Sequence, residues 1–222
     1  IVVDVIDSKQ KILILSHAPH PDIGAMKSSL QENKNLEVQH YVANRFNKKI
    51  NEYNLVILHQ LPSKSNMATN ILSEITKSDI PVLFILGTQS SFAGITNLSG
   101  SFGFKIRQRK NSFDDAQVHY NKSFPFFEFN RDFITMASDA PPIIVPFGNY
   151  SITPTSEVLF YQKIKNIETN IPLLFFDNQG GRKIAFLTGE GLWRWRMYDY
   201  KQNNSHDLFN EFFNKIAQYL SL

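Results

Sequence analysis

The chain has 222 residues, 42% hydrophobic and 19% charged, enough to bury one α/β core. Its net charge of +3 and pI near 9.0 rest on 23 scattered Lys and Arg residues, which argues against the gathered basic face of a nucleic-acid binder. The absence of cysteine excludes disulfides, thiolate metal sites and cysteine nucleophiles, and no apolar run is long enough to cross a bilayer.

Ile1 to Ile6 is strand-like from its first residue. Residues 1–8 read as the end of a preceding domain, so the chain is expected to be a piece of a longer protein. Lys11 to Ser16 is a continuous apolar run, the pattern of a strand buried on both faces. Asp22 then reads as a helix N-cap, with Ile23, Met26 and Leu30 at helical spacing. Leu36 to Val42 alternates as a more exposed strand, and Asn54 to His59 is a third strand. Ser65 opens a second helix carrying Met67, Ile71, Leu72 and Ile75 on its inner face. Pro81 to Leu86 is a fourth strand. This alternation predicts an α/β three-layer sandwich with a mainly parallel, flavodoxin-like central sheet.

Residues 100–155 read as a β-rich excursion with long loops. Lys105, Arg107 and Arg109 alternate onto one side of a strand, the signature of a solvated face. Ser123 to Phe129 is Phe-rich and offers a surface for a protein partner or a second copy. Glu157 to Tyr161 resumes a strand. Pro172 to Phe176 and Arg182 to Leu187 flank Asp177-Asn-Gln-Gly-Gly181, a hairpin signal with glycines where positive φ is needed. A last helix spans about Asp207 to Tyr219, capped by Ser205. No internal repeat or linker is visible, so residues 1–222 are taken as a single domain.

Ligands of open α/β sheets sit outside the carboxyl ends of the strands. The polar residues at those ends are His17, His20 and Asp22 after the first strand, His59 and Gln60 at the end of the third, and Gln89 and Ser90 after the fourth. Glu190, Trp193 and Arg194 follow the hairpin. Each has a structural reading beside the binding one. Asp22 suits a helix cap, the histidines suit loop or strand-end hydrogen bonds, and the tryptophans suit packing. His17, His20, Asp22 and His59 are zinc or iron ligand types, but His17-x-x-His20 lies in a loop that does not align two imidazoles. No metal, cofactor or catalytic residue is assigned. Gly87-Thr-Gln-Ser-Ser91 is not a Gly-x-Ser-x-Gly elbow.

Two segments resemble the class I glutamine amidotransferase-like superfamily. Pro81 to Gln89 is similar to its Pro-Val-x-Gly-Ile-Cys-x-Gly-x-Gln strand and elbow, with Ile85 at the cysteine position. Ile184 to Glu190 is similar to its late strand ending His-Pro-Glu, which here reads Thr188-Gly189-Glu190. The nucleophile and base are thus missing, and an orphan acid cannot carry acyl transfer. Val5 to Leu15, Ala18 to Asp22, Pro146 to Gly148 and Gly189 to Arg196 also resemble phrases of a group of Bacteroidetes envelope proteins. That resemblance implies a membrane-anchored protein with this domain on the periplasmic side, touching membrane only through regions outside this chain. The trehalose-utilisation-type branch of the same fold is a more distant likeness and implies a small polar or sugar ligand. The expected function is a catalytically degenerate amidotransferase-like domain that binds a ligand or a protein. The alternative is a hydrolase using the strand-end histidines and Glu190, with or without a metal.

Overall fold

A computed structural model describes residues 9–221. The strand-like stretch at 1–8 lies outside the described residues. The elements in chain order are β1 (Gln10–Ser16), α1 (Pro21–Gln31), β2 (Leu36–Val42), β3 (Leu55–His59), α2 (Thr69–Thr76), β4 (Val82–Ile85), α3 (Phe92–Asn97), α4 (Ser99–Phe102), β5 (Lys105–Tyr120), α5 (Arg131–Asp139), β6 (Ile143–Ser151), β7 (Glu157–Ile164), β8 (Ile167–Gln179), β9 (Arg182–Leu187), α6 (Trp193–Asn203) and α7 (Asp207–Ser221). Among the described residues nine strands form one sheet in the order β2-β1-β3-β4-β9-β8-β7-β5-β6.

This sheet is mixed, which overturns the expectation of a mainly parallel, flavodoxin-like sandwich. The pairs β1/β2, β1/β3, β3/β4 and β4/β9 are parallel. The pairs β8/β9, β7/β8, β5/β7 and β5/β6 are antiparallel, and they include the longest strands. Residues 100–155 are therefore no excursion beside the sheet, because β5 and β6 extend it. The alternation of Lys105, Arg107 and Arg109 marks the start of β5, and all three face solvent as expected. Its full length escapes a sequence reading because the register shifts between Gln108 and Phe113, where Lys110 and Asn111 adopt positive φ. The sheet also curls. Ile144 of β6 exchanges backbone hydrogen bonds with Glu190, just past β9, at 2.9 and 3.0 Å.

The both-faces-apolar runs divide by parity between two cores, as the pleat requires. Ile12, Ile14, Ile57 and Ile85 pack with α1, α5 and α7, while Leu13, Leu15, Leu58 and Phe84 pack with α2, α3 and Phe102 of α4. The Phe-rich segment mostly faces the first core. Phe129 stacks on Phe133 at 4.0 Å and Phe124 meets Phe176 at 5.3 Å, leaving Phe126 as its exposed ring, stacked on Tyr219. Among the described residues no helix is long and apolar enough to cross a membrane.

Helix starts differ from expectation in detail. The N-cap of α1 is His20, whose Nδ1 accepts from the Asp22 N–H at 3.2 Å, so Asp22 sits inside the first turn. The second helix starts at Thr69 rather than Ser65, and Met67 precedes it, half exposed. Ser205 accepts the Asp207 N–H only at 3.4 Å, whereas the buried Asp199 takes the Phe209 N–H at 3.0 Å. Helix α6 leaves no mark in the sequence pattern, because its Trp-Arg-Trp-Arg start shows no apolar stripe.

Asp177 ties the β6–β7 connection to β8. Its carboxylate accepts from Thr153 at 2.6 Å, Thr155 at 3.0 Å and Gln179 at 2.6 Å. Burial raises its pKa, but these bonds and the Asn178 N–H outweigh burial and hold it below the ordinary carboxylate value. A depressed folded pKa stabilises the fold above the unfolded pKa, and that stability is lost as pH falls through the folded value. Asp177→Asn is therefore expected to cost about 1–3 kcal/mol at pH 7. In urea titrations at successive pH values, the gap from the parent should close as pH drops below 3.8.

Candidate functional site

The parallel half of the sheet brings four strand ends into one row. Ser16 pairs with His59, His59 with Ile85, and Ile85 with Leu187. The residues that follow each end therefore meet on one edge.

Glu190 stands at the centre and is only 4% exposed. Its carboxylate accepts from the Gln60 side-chain amide and, at 3.2 Å, from the Thr88 N–H on the turn after β4. His20 Nε2 stands 3.5 Å from the same carboxylate. Gln60 holds a left-handed backbone (φ 55°), and its other amide atom accepts the Gln89 N–H at 2.8 Å. One glutamine thus links the acid to the turn. Gly87 makes room for this pair, since a Cβ there would collide with Glu190 Oε2 and stand 2.7 Å from Gln60 Cδ.

Asp22 is fully buried beside it. It accepts the N–H groups of Gly191 and Trp193, each at 2.8 Å, and so anchors the start of α6 to the start of α1. Gly191 needs to be glycine here, because its φ is +111°. His20 Nδ1 lies 3.5 Å and His59 Nε2 lies 3.6 Å from Asp22 Oδ2. The two rings are tilted with centroids 4.7 Å apart. Burial pushes the Asp22 pKa up, but the neighbouring His59 ring and the two backbone amides outweigh it and hold the carboxyl below its ordinary value. The His20 pKa is lowered, by burial first and with the His59 ring adding to it, against the opposing pull of Asp22 and Glu190. His20, Asp22 and His59 offer ligand-type atoms within 4.8 Å of one another.

Of the candidates from sequence, His20, Asp22, His59 and Glu190 share this cluster. His17 is nearby through its backbone, donating its N–H to the His59 carbonyl at 3.1 Å, but is not one of the three clustered ligand-type residues. Gln89 joins by its backbone N–H while the residue itself is exposed. Ser90 is buried and its hydroxyl accepts the Gly87 N–H, a turn-holding role. Trp193 contributes only its backbone amide, and Arg194 donates to the Pro142 carbonyl rather than to Glu190. Trp195 is buried and bonded to Pro141. Gln60 is seen in the sequence only as a polar strand-end residue, and its link between Glu190 and the turn is not read there. Sequence reasoning missed His40, which meets the Ser16 hydroxyl at 2.9 Å.

The two positions where the amidotransferase pattern puts its cysteine and histidine carry no chemistry. Ile85 is fully buried in the core, and the buried Thr188 hydroxyl donates to the Pro172 carbonyl at 3.0 Å.

No protein-family model matches the chain, and no curated protein matches it. Solved structures match it along nearly its whole length. The β-galactosidase from Rahnella sp. R3 superposes with a TM-score of 0.58 at 10% identity, over 96% of this chain and 32% of that one. The α-L-fucosidase isoenzyme 2 from Paenibacillus thiaminolyticus gives 0.58 at 9% identity, over 96% of this chain and 33% of that one. A putative GMP synthase component from Thermoplasma acidophilum gives 0.53 at 13% identity, over 95% of this chain and 96% of that one. The likeness is one of fold, and it runs over nearly the whole length of the Thermoplasma protein. This chain spans about a third of the two glycosidases.

Gly87→Ala is expected to drive the Glu190–Gln60 pair apart and cost about 1–3 kcal/mol. Gly100→Ala in α4 is the control, since a Cβ there meets nothing within 4 Å. Urea midpoints should fall for the first substitution and hold or rise for the second.

Proposed function

We propose that this chain is a catalytically degenerate amidotransferase-like domain that works as a binding module within a larger protein. The observation that carries this reading is the state of Glu190. The carboxylate that would orient a catalytic base is spent on Gln60 and on the Thr88 amide, and the base position holds a threonine bonded to a main-chain carbonyl. A general base must be free to take a proton, and a nucleophile must be within its reach. Neither condition is met at Ile85 or Thr188.

Two further points support the module reading. In both glycosidases the matched stretch is a minor part of a longer chain, as expected of an accessory domain. That both are glycosidases also agrees with the small polar or sugar ligand implied by the sequence resemblance. The resemblance to envelope proteins makes placement at the cell envelope part of the same proposal. His20 marks the open side of the crevice, being partly exposed over two buried carboxylates.

The test is ammonia release from glutamine by the purified domain. None is expected above the buffer blank. Release that Thr88→Ala abolishes would overturn the reading, because Thr88 is the partly exposed hydroxyl residue whose amide meets Glu190. A thermal-shift panel of neutral and acidic sugars tests the ligand side. At least one is expected to raise Tm in the parent and to lose that effect in His20→Ala.

A further inference from the structure

We propose that His20, Asp22 and His59 form a binding site for a divalent transition cation of the zinc class, with Glu190 supporting His20 from behind. This rests on the reading of the strand-end crevice as a ligand site, and it names the ligand's chemistry.

Three observations carry it. The first is spacing. Asp22 Oδ2 lies 3.5 Å from His20 Nδ1 and 3.6 Å from His59 Nε2, and all three ligand-type atoms lie within 4.8 Å of one another. Ligands held about 2.0–2.1 Å from a tetrahedral zinc ion stand roughly 3.3–3.4 Å apart, so the two short edges need only tenths of an ångström to close.

The second is His59 itself. It is 1% exposed, and among the described residues its Nε2 has no hydrogen-bond partner. Buried polar atoms are nearly always satisfied, and this one points toward an ionised carboxylate from just beyond hydrogen-bond range. A cation between the two satisfies both groups.

The third is the tautomer of His20. Its Nδ1 accepts the Asp22 N–H at 3.2 Å, so the lone pair faces Asp22 and the ring proton sits on Nε2; a bound ion would take that lone pair in place of the Asp22 N–H. That proton points to Glu190 Oε2, 3.5 Å away. A ligating histidine typically donates its other ring N–H to a carboxylate, which fixes the ring and raises its basicity. Glu190, itself held by Gln60 and Thr88, is placed for that role.

Two imidazoles and one carboxylate favour zinc or ferrous iron over calcium or magnesium, which take oxygen ligands. Three protein ligands leave a coordination position open to a further ligand.

The experiment uses the full chain, stripped with a chelator and dialysed. Zn2+ is added and followed by calorimetry and by the imidazole 15N shifts of the histidines. The expected result is one Zn2+ per chain, with His20 Nδ1 and His59 Nε2 shifting and the distant His119 and His206 unmoved. Mg2+ and Ca2+ should have no effect, and an anaerobic Fe2+ titration should compete for the same site. His59→Gln is expected to weaken Zn2+ binding at least 100-fold, roughly the loss of one ligand. No uptake, undiminished uptake in folded His59→Gln, or shifts confined to other histidines would overturn the proposal. Should His59→Gln fail to fold, the 15N shifts of the unsubstituted protein decide alone. Ammonia release is measured on the same preparation, so failure of the ion and failure of the non-glutaminase reading are separately visible.

Discussion

A carboxylate buried at the ends of four strands is stable only where donors surround it, and the strand-end region is organised by that need. Glu190 draws its donors from three separate connections. Gln60 follows β3, Thr88 follows β4, and His20 precedes α1. The backbone of Glu190 is fixed from a fourth direction by Ile144 of β6. One anion therefore couples loops that share no local sequence. Asp22 acts similarly one step away, gathering the amides of Gly191 and Trp193. Both acids lie deep, so their partners have little freedom to move independently.

The antiparallel half of the sheet belongs to the same arrangement. Were β5 and β6 an appendage, Ile144 would have no reason to pair with the residue just beyond β9. Because the sheet curls, β6 packs against the segment carrying Glu190, and Gly189 is hemmed in by Ile143, Val145 and the Ile144 carbonyl. The mixed sheet thus places a wall beside the crevice that a purely parallel sheet would have to build from loops.

Much of the parallel half was legible in the residues. Lys11 to Ser16, Asn54 to His59 and Pro81 to Leu86 are apolar on both faces, and β1, β3 and β4 lie side by side in parallel. Where the carboxyl ends of β1, β3 and β4 fall follows from that pattern, and with it the neighbourhood of His20, Asp22 and His59, whereas the parallel pairing of β9 with β4 that brings Glu190 to the same edge does not. In the antiparallel half the strand from Glu157 and the β8/β9 hairpin were legible, whereas the length of β5 was not, because it is polar on one side and broken by positive-φ residues at Lys110 and Asn111. Gln60 shows in the sequence as a strand-end residue, but its part in the site does not, for a different reason. Its role depends on a left-handed backbone and on two partners, one 130 residues away, and neither leaves a periodic trace. Arg194 lies near Glu190 in the sequence but does not pair with it, since its guanidinium reaches the Pro142 carbonyl instead.

Charge is the last constraint on this site. Two carboxylates lie buried together, and among the described residues their only charged or chargeable contacts within 4.0 Å are histidines. His20 is biased toward its neutral form by burial, and with Nδ1 turned to the Asp22 amide it has one proton, directed at Glu190. Asp22 is then left facing His59 Nε2 across 3.6 Å, too far for a hydrogen bond and too near to ignore. Backbone amides orient Asp22 but supply only partial charge. Both carboxylates are thus held by fitted donors, while His59 Nε2 beside Asp22 has no hydrogen-bond partner among the described residues.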